Sequence, residues 1–111
     1  MPPNVLIVDD SAAIRKILQR ILRQTEVPLG SLYEAGDGLE ALEALKHNNI
    51  DLVLSDINMP NMDGLQLLAQ IRANPQWQGV RVLMITTEGN QARVMEAVGL
   101  AAGPVTLRDE L

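Results

Sequence analysis

Val5-Leu6-Ile7-Val8-Asp9-Asp10 opens the chain with four aliphatic residues that run straight into two carboxylates. An unbroken aliphatic run of this length suits a strand buried on both faces, as in a parallel sheet. From Ser11 onward, Ile14, Ile17, Leu18, Ile21 and Leu22 recur at helical spacing, with Arg15, Lys16, Gln19, Arg20 and Arg23 between them. That spacing predicts an amphipathic helix, closed off before Pro28. The strand-then-helix unit then repeats. Ser31 to Ala35 reads as a shorter strand, and Asp37 can cap a second helix carrying Leu39, Leu42 and Leu45 up to Lys46 and His47.

Leu52-Val53-Leu54-Ser55 reads as another buried strand, ending at Asp56. A turn-rich stretch from Asn58 to Gly64 leads into a third helix through Leu65, Leu67, Leu68 and Ile71. Val80 to Thr86 reads as a fourth strand, Asn90 to Val98 as a helix, and Gly103 to Leu107 as a fifth strand. Strands alternating with helices indicate a parallel sheet covered on both faces. Five such units in 111 residues fit one domain with an open doubly wound α/β sheet, and are too few for an eight-stranded barrel.

The composition narrows the function classes. The chain has no Cys, which excludes thiol chemistry and a disulfide framework. Its only aromatic residues are Tyr33 and Trp77, so the core must be built from aliphatic side chains and Met. A formal net charge of −5 argues against this domain binding nucleic acid, and no apolar run is long enough for a signal core or a membrane span. A soluble cytoplasmic protein is the default expectation.

In doubly wound sheets, ligands sit outside the carboxyl ends of the strands, where the strand order reverses. With the order 2-1-3-4-5, strands one and three are neighbours, and Asp9, Asp10 and Asp56 converge in one crevice. Like charges brought together are costly unless a cation neutralises them. Oxygen ligands in a partly open site favour Mg²⁺. The alternative is plainer: Asp10 and Asp56 as helix or turn caps, and Asp9 as a solvated strand end. Convergence of all three at the ligand-binding edge favours a site.

Three segments carry a family resemblance. Val8-Asp9-Asp10-Ser11, Ser55-Asp56-Ile57-Asn58-Met59-Pro60-Asn61-Met62-Asp63-Gly64 and Met84-Ile85-Thr86-Thr87-Glu88 resemble the response-regulator receiver domain of two-component systems. The middle segment is especially similar to single-domain chemotaxis regulators. The match runs from Asn4 to about Val98. It implies a flavodoxin-like fold and a phosphoacceptor switch in which a histidine kinase, or a small phosphodonor, phosphorylates Asp56. It also implies Mg²⁺ held by Asp9, Asp10, Asp56 and the backbone carbonyl of Asn58, with Asp10 as a direct ligand and Asp9 acting through water. Thr86 matches the hydroxyl that contacts the phosphoryl group, and Asn58 and Glu88 match positions that tune dephosphorylation. The output would be a downstream protein target. The resemblance is to a signalling protein that catalyses only its own phosphorylation and dephosphorylation.

Other residues read as structural. Pro60 and Gly64 shape the loop after Asp56, Gly64 by permitting an unusual turn. Met84 and Met95 are packing residues, and Trp77 covers the loop before strand four. His47 sits at a helix C-terminus without an acid partner and is not read as catalytic.

The C-terminal third departs from the family. The family ends strand five with a Lys-Pro pair, whereas the only lysines here are Lys16 and Lys46. Matching on Gly103 places Leu107 at the lysine position; counting from Thr86 places Arg108 there. Pro104 stands where an aromatic switch residue is expected. The final helix is missing from the sequence, so the expectation is a receiver domain over 1–111, truncated or altered after about residue 99, with a strand-five edge open to homodimer pairing. Two competing readings follow. One is a receiver-like interaction module that no longer switches. The other is an Asp-nucleophile phosphohydrolase, which would need an acid where Asn58 stands.

Overall fold

The computed structural model describes residues 2–26 and 28–85. Its elements are β1 (Val5–Val8), α1 (Ala12–Gln24), β2 (Leu32–Ala35), α2 (Gly38–His47), β3 (Leu52–Asp56), α3 (Gly64–Ala73), a 3₁₀ turn (Pro75–Trp77) and β4 (Arg81–Ile85). The four strands pair in parallel in the order β2-β1-β3-β4. This is the flavodoxin-like arrangement, with the order reversing between β1 and β3. The predicted helix over Asn90 to Val98 and the fifth strand from Gly103 lie outside the described residues, as do Met95 and Pro104.

Alternation along the strands divides the core into two layers. Leu6, Val8, Val53, Val82 and Met84 face α2 and α3, where they meet Ala41, Leu45, Leu67 and Ile71. Val5, Ile7, Leu54, Leu83 and Ile85 face the other way and meet Leu18 and Leu22 of α1. β1 therefore has no solvent face, and all four of its residues are buried. Removing each such side chain from water contributes about 1.5–3 kcal/mol, which the alternating polar residues of a half-exposed strand would forgo. Met84 is a packing residue, as expected, and Trp77 lies half-buried against the α2/α3 layer just before β4.

Each helix begins on a side-chain acceptor. Ser11 Oγ accepts from the Ile14 amide at 3.3 Å, and Asp37 Oδ1 accepts from the Glu40 amide at 2.8 Å. Asp63 and Gln66 form a reciprocal capping box at the start of α3, with bonds of 2.8 and 3.1 Å. Helix capping thus falls to Ser11, Asp37 and Asp63, and not to Asp10 or Asp56.

Gly64 corrects one expectation. It is the first residue of α3, and the residue with positive φ is Asn61, at 65°. What Gly64 provides is closeness. Its amide donates to the Ile57 carbonyl at 2.8 Å, and a Cβ there would collide with the Asp56 carbonyl oxygen. Backbone cannot step aside as a side-chain tip can, so Gly64→Ala should lower stability by about 1–3 kcal/mol in urea unfolding. Gly79→Ala is the matched control. Nothing lies within 4 Å of a Cβ at that position, so its stability should stay level or rise slightly.

Candidate functional site

Register creates the site. Val8 pairs with Ser55 across β1 and β3, so the next residues in each strand direction, Asp9 and Asp56, are set side by side at the carboxyl edge. Asp10 follows before α1 begins. One carboxylate oxygen from each of Asp9, Asp10 and Asp56 lies within 4.8 Å of the others. The three residues predicted to converge do so.

Their environments differ. Asp9 is 2% exposed, Asp56 is 9% exposed, and Asp10 faces solvent. Asp9 Oδ1 accepts the Ser11 amide at 2.8 Å, whereas Asp9 Oδ2 is buried with no hydrogen-bond partner among the described residues. Asp56 Oδ1 accepts the Ile57 amide at 2.8 Å. Burial, joined by the nearby charges of Asp56 and Asp10, pushes the Asp9 carboxyl up to about 6, against the opposing pull of the Ser11 amide. An orphaned buried carboxylate oxygen beside two more carboxylates is costly alone and favourable with a cation. All-oxygen donors with one open side fit a hard divalent ion.

Arg15 supports this edge from beneath. Its Nη1 donates to the Asp9 backbone carbonyl at 2.6 Å, and its Nε to Glu34 Oε1 at 3.0 Å. The Arg15 guanidinium holds the Glu34 carboxyl below its ordinary range. The sequence shows Arg15 only as one of several polar residues on α1, and nothing in the spacing marks it as the residue that ties β1 to β2. The charge of Arg15 is thus engaged by Glu34 and by the Asp9 backbone carbonyl.

Asn58 lies exposed in the segment after Asp56. Thr86, Glu88, Leu107 and Arg108 lie outside the described residues. His47 does have an acid neighbour, contrary to expectation: Glu43, one helical turn earlier, with Nε2 to Oε2 at 3.3 Å. Both side chains are largely solvent-exposed and belong to the surface of α2. The pattern was available in the sequence as an i, i+4 pair.

Comparison with known proteins agrees with this geometry. The family model described as the response regulator receiver domain matches residues 5–105. Chemotaxis protein CheY-3 of Vibrio cholerae serotype O1 is 42% identical over 94 residues, which cover 85% of this chain and 71% of that protein. A chemotaxis protein CheY homolog of Campylobacter jejuni is 36% identical over 96 residues, covering 86% and 72%. Among solved structures, the Mn²⁺-bound form of the response regulator Rcp1 superposes with a TM-score of 0.68 at 30% identity, over 90% of this chain and 76% of that one.

The Asp9 carboxyl supplies a pH test. Its folded pKa lies above the unfolded value of 3.8, so the folded state holds the proton more tightly. Its contribution to stability therefore falls as pH rises from about 4 to about 6, and the penalty persists above that. In the presence of a chelator at pH 7.5, Asp9→Asn should raise stability over wild type by about 2 kcal/mol, and the two should converge near pH 4. Chemical denaturation of both proteins across that range checks it; a variant equally destabilised at both ends would contradict it.

Proposed function

The chain belongs to the family of response regulator receiver domains, and on that premise we propose that it is the phosphoacceptor switch of a two-component relay, with Asp56 as the acceptor. The observation that carries this reading is the carboxylate cluster at the strand-order reversal, with Asp9 Oδ2 buried and without a hydrogen-bond partner among the described residues. Among the described residues no helix is long and apolar enough to cross a membrane.

The Asp56 carboxylate acts as the nucleophile. One of its oxygens forms a bond to the phosphorus of the donor, and the bond from phosphorus to the leaving group breaks. With a phosphohistidine donor, the electron pair of that bond returns to the imidazole nitrogen of the kinase. The Ile57 amide already donates to Asp56 Oδ1 at 2.8 Å, which orients the carboxylate. Asp9, Asp10, Asp56 and the Asn58 backbone carbonyl would hold Mg²⁺, which when bound neutralises phosphoryl oxygens and lowers the barrier to in-line attack. Asp9 would bring to that site a carboxylate whose charge is disfavoured by burial and by the neighbouring Asp56 and Asp10 carboxylates.

Thr86 directly follows Ile85, which pairs with Asp56 across β3 and β4; this supports Thr86 as the hydroxyl that contacts the phosphoryl group. Asn58 and Glu88 would set the rate of dephosphorylation. The lysine role would fall to Arg108 or be lost at Leu107, and an Arg fork does not reproduce a compact ammonium. The partners would be a histidine kinase and a downstream protein target, in the cytoplasm, and the chemotaxis relatives make motility control the first output to examine. Pro104, and Leu107 or Arg108, in place of the family's aromatic residue and lysine favour one second reading, a receiver-like interaction module that does not switch.

Incubation with a small phosphodonor and Mg²⁺, followed by intact-mass measurement, separates the two. Wild type should gain one phosphoryl group, Asp56→Asn should gain none, and a chelator should suppress the gain in wild type. A folded wild-type protein that stays unmodified would leave the interaction module as the reading.

A further inference from the structure

The segment between Asp56 and α3 is tied down at two places. At its lower end the Gly64 amide closes back on the Ile57 carbonyl at 2.8 Å. At its outer end it is fastened to a different part of the fold, the N-terminus of α2. Asn61 Nδ2 donates to Asp37 Oδ2 at 2.7 Å, and the Gly38 amide donates to the Met62 carbonyl at 3.1 Å. Asp37 is 8% exposed, and its other oxygen accepts the Glu40 amide at 2.8 Å. One carboxylate thus starts a helix with one oxygen and holds a loop with the other. Bonds to an ionised acceptor in a buried setting are roughly twice as strong as neutral ones.

The loop side of this latch is built for it. Asn61 has φ 65°, a left-handed conformation that Asn adopts more readily than most residues. The turn there aims its amide at Asp37. Residues 58–60 lie between the two ties, and they include the carbonyl at Asn58.

We propose that Asn61 and Asp37 are positioning residues for the phosphoacceptor site, their hydrogen bond fixing the 58–60 segment so that the Asn58 carbonyl serves the metal. The inference rests on the reading of Asp56 as the acceptor. It makes the geometry of the site depend on α2, an element that contributes no ligand. Outer-shell partners of this kind typically change metal affinity by 10–100-fold.

Two substitutions isolate the latch from its surroundings. Asn61→Gly keeps the left-handed backbone accessible and removes the amide. Asp37→Ser keeps an acceptor for the Glu40 amide and removes the second oxygen. Calorimetric titration with Mg²⁺ should show each variant binding about tenfold more weakly than wild type, with the double variant no weaker than the worse single one. Amide hydrogen exchange at Asn58 and Met59 should quicken in both variants without metal, while exchange in β1 and β3 stays as in wild type. Variants that bind Mg²⁺ like wild type, or whose losses simply add, would overturn the latch while leaving the acceptor reading intact. A wild-type protein that binds no Mg²⁺ would overturn both.

Discussion

The pairing of β1 with β3 in a single register governs this structure. With Val8 beside Ser55, two carboxylates that are distant in sequence must emerge together at one edge of the sheet. A slip of one residue would turn every core side chain of β1 to the wrong layer. The aliphatic packing on both faces therefore holds the register, and the register holds the charges together against their repulsion. Asp9 shows the result most plainly, in a carboxyl raised to about 6 and an oxygen with no hydrogen-bond partner among the described residues. A site of this kind destabilises the metal-free protein and favours a bound cation.

The segment that follows Asp56 shows how tightly the backbone is used around the site. Gly64 lets α3 begin against the Asp56 carbonyl, Asp63 and Gln66 cap that helix, and Asn61 turns the chain toward Asp37. On the other side Arg15 joins the Asp9 carbonyl to Glu34. Both attachments reach the region of β2 and α2. One edge strand of the described sheet, β2, and the helix after it thus steady a site to which they supply no carboxylate.

Much of this was legible in the sequence because it is written in short-range pattern. Aliphatic runs ending in Asp gave β1 and β3, helical spacing gave α1, and Asp37 announced the start of α2. The convergence of Asp9, Asp10 and Asp56 followed from strand order, and the resemblance carried by residues 55–64 pointed the same way. What stayed hidden depends on contacts between distant residues. Arg15 meets Glu34 across 19 positions and Asn61 meets Asp37 across 24, separations at which no periodicity operates. The role of Gly64 is hidden as well, because a sequence does not display how closely two backbones approach. The His47–Glu43 pair, by contrast, is a local pattern at i, i+4 spacing. Thr86 and Glu88, and the choice between Leu107 and Arg108, lie outside the described residues and remain part of the proposal.

The central claim is that the sheet gathers three carboxylates into a cation site beside the acceptor. Anomalous diffraction from crystals soaked in Mn²⁺ tests it most directly. One strong anomalous peak is expected among the carboxylates of Asp9, Asp10 and Asp56. Crystals in which those side chains are ordered and that edge of the sheet opens onto a solvent channel, yet show no peak there at saturating Mn²⁺, would contradict it.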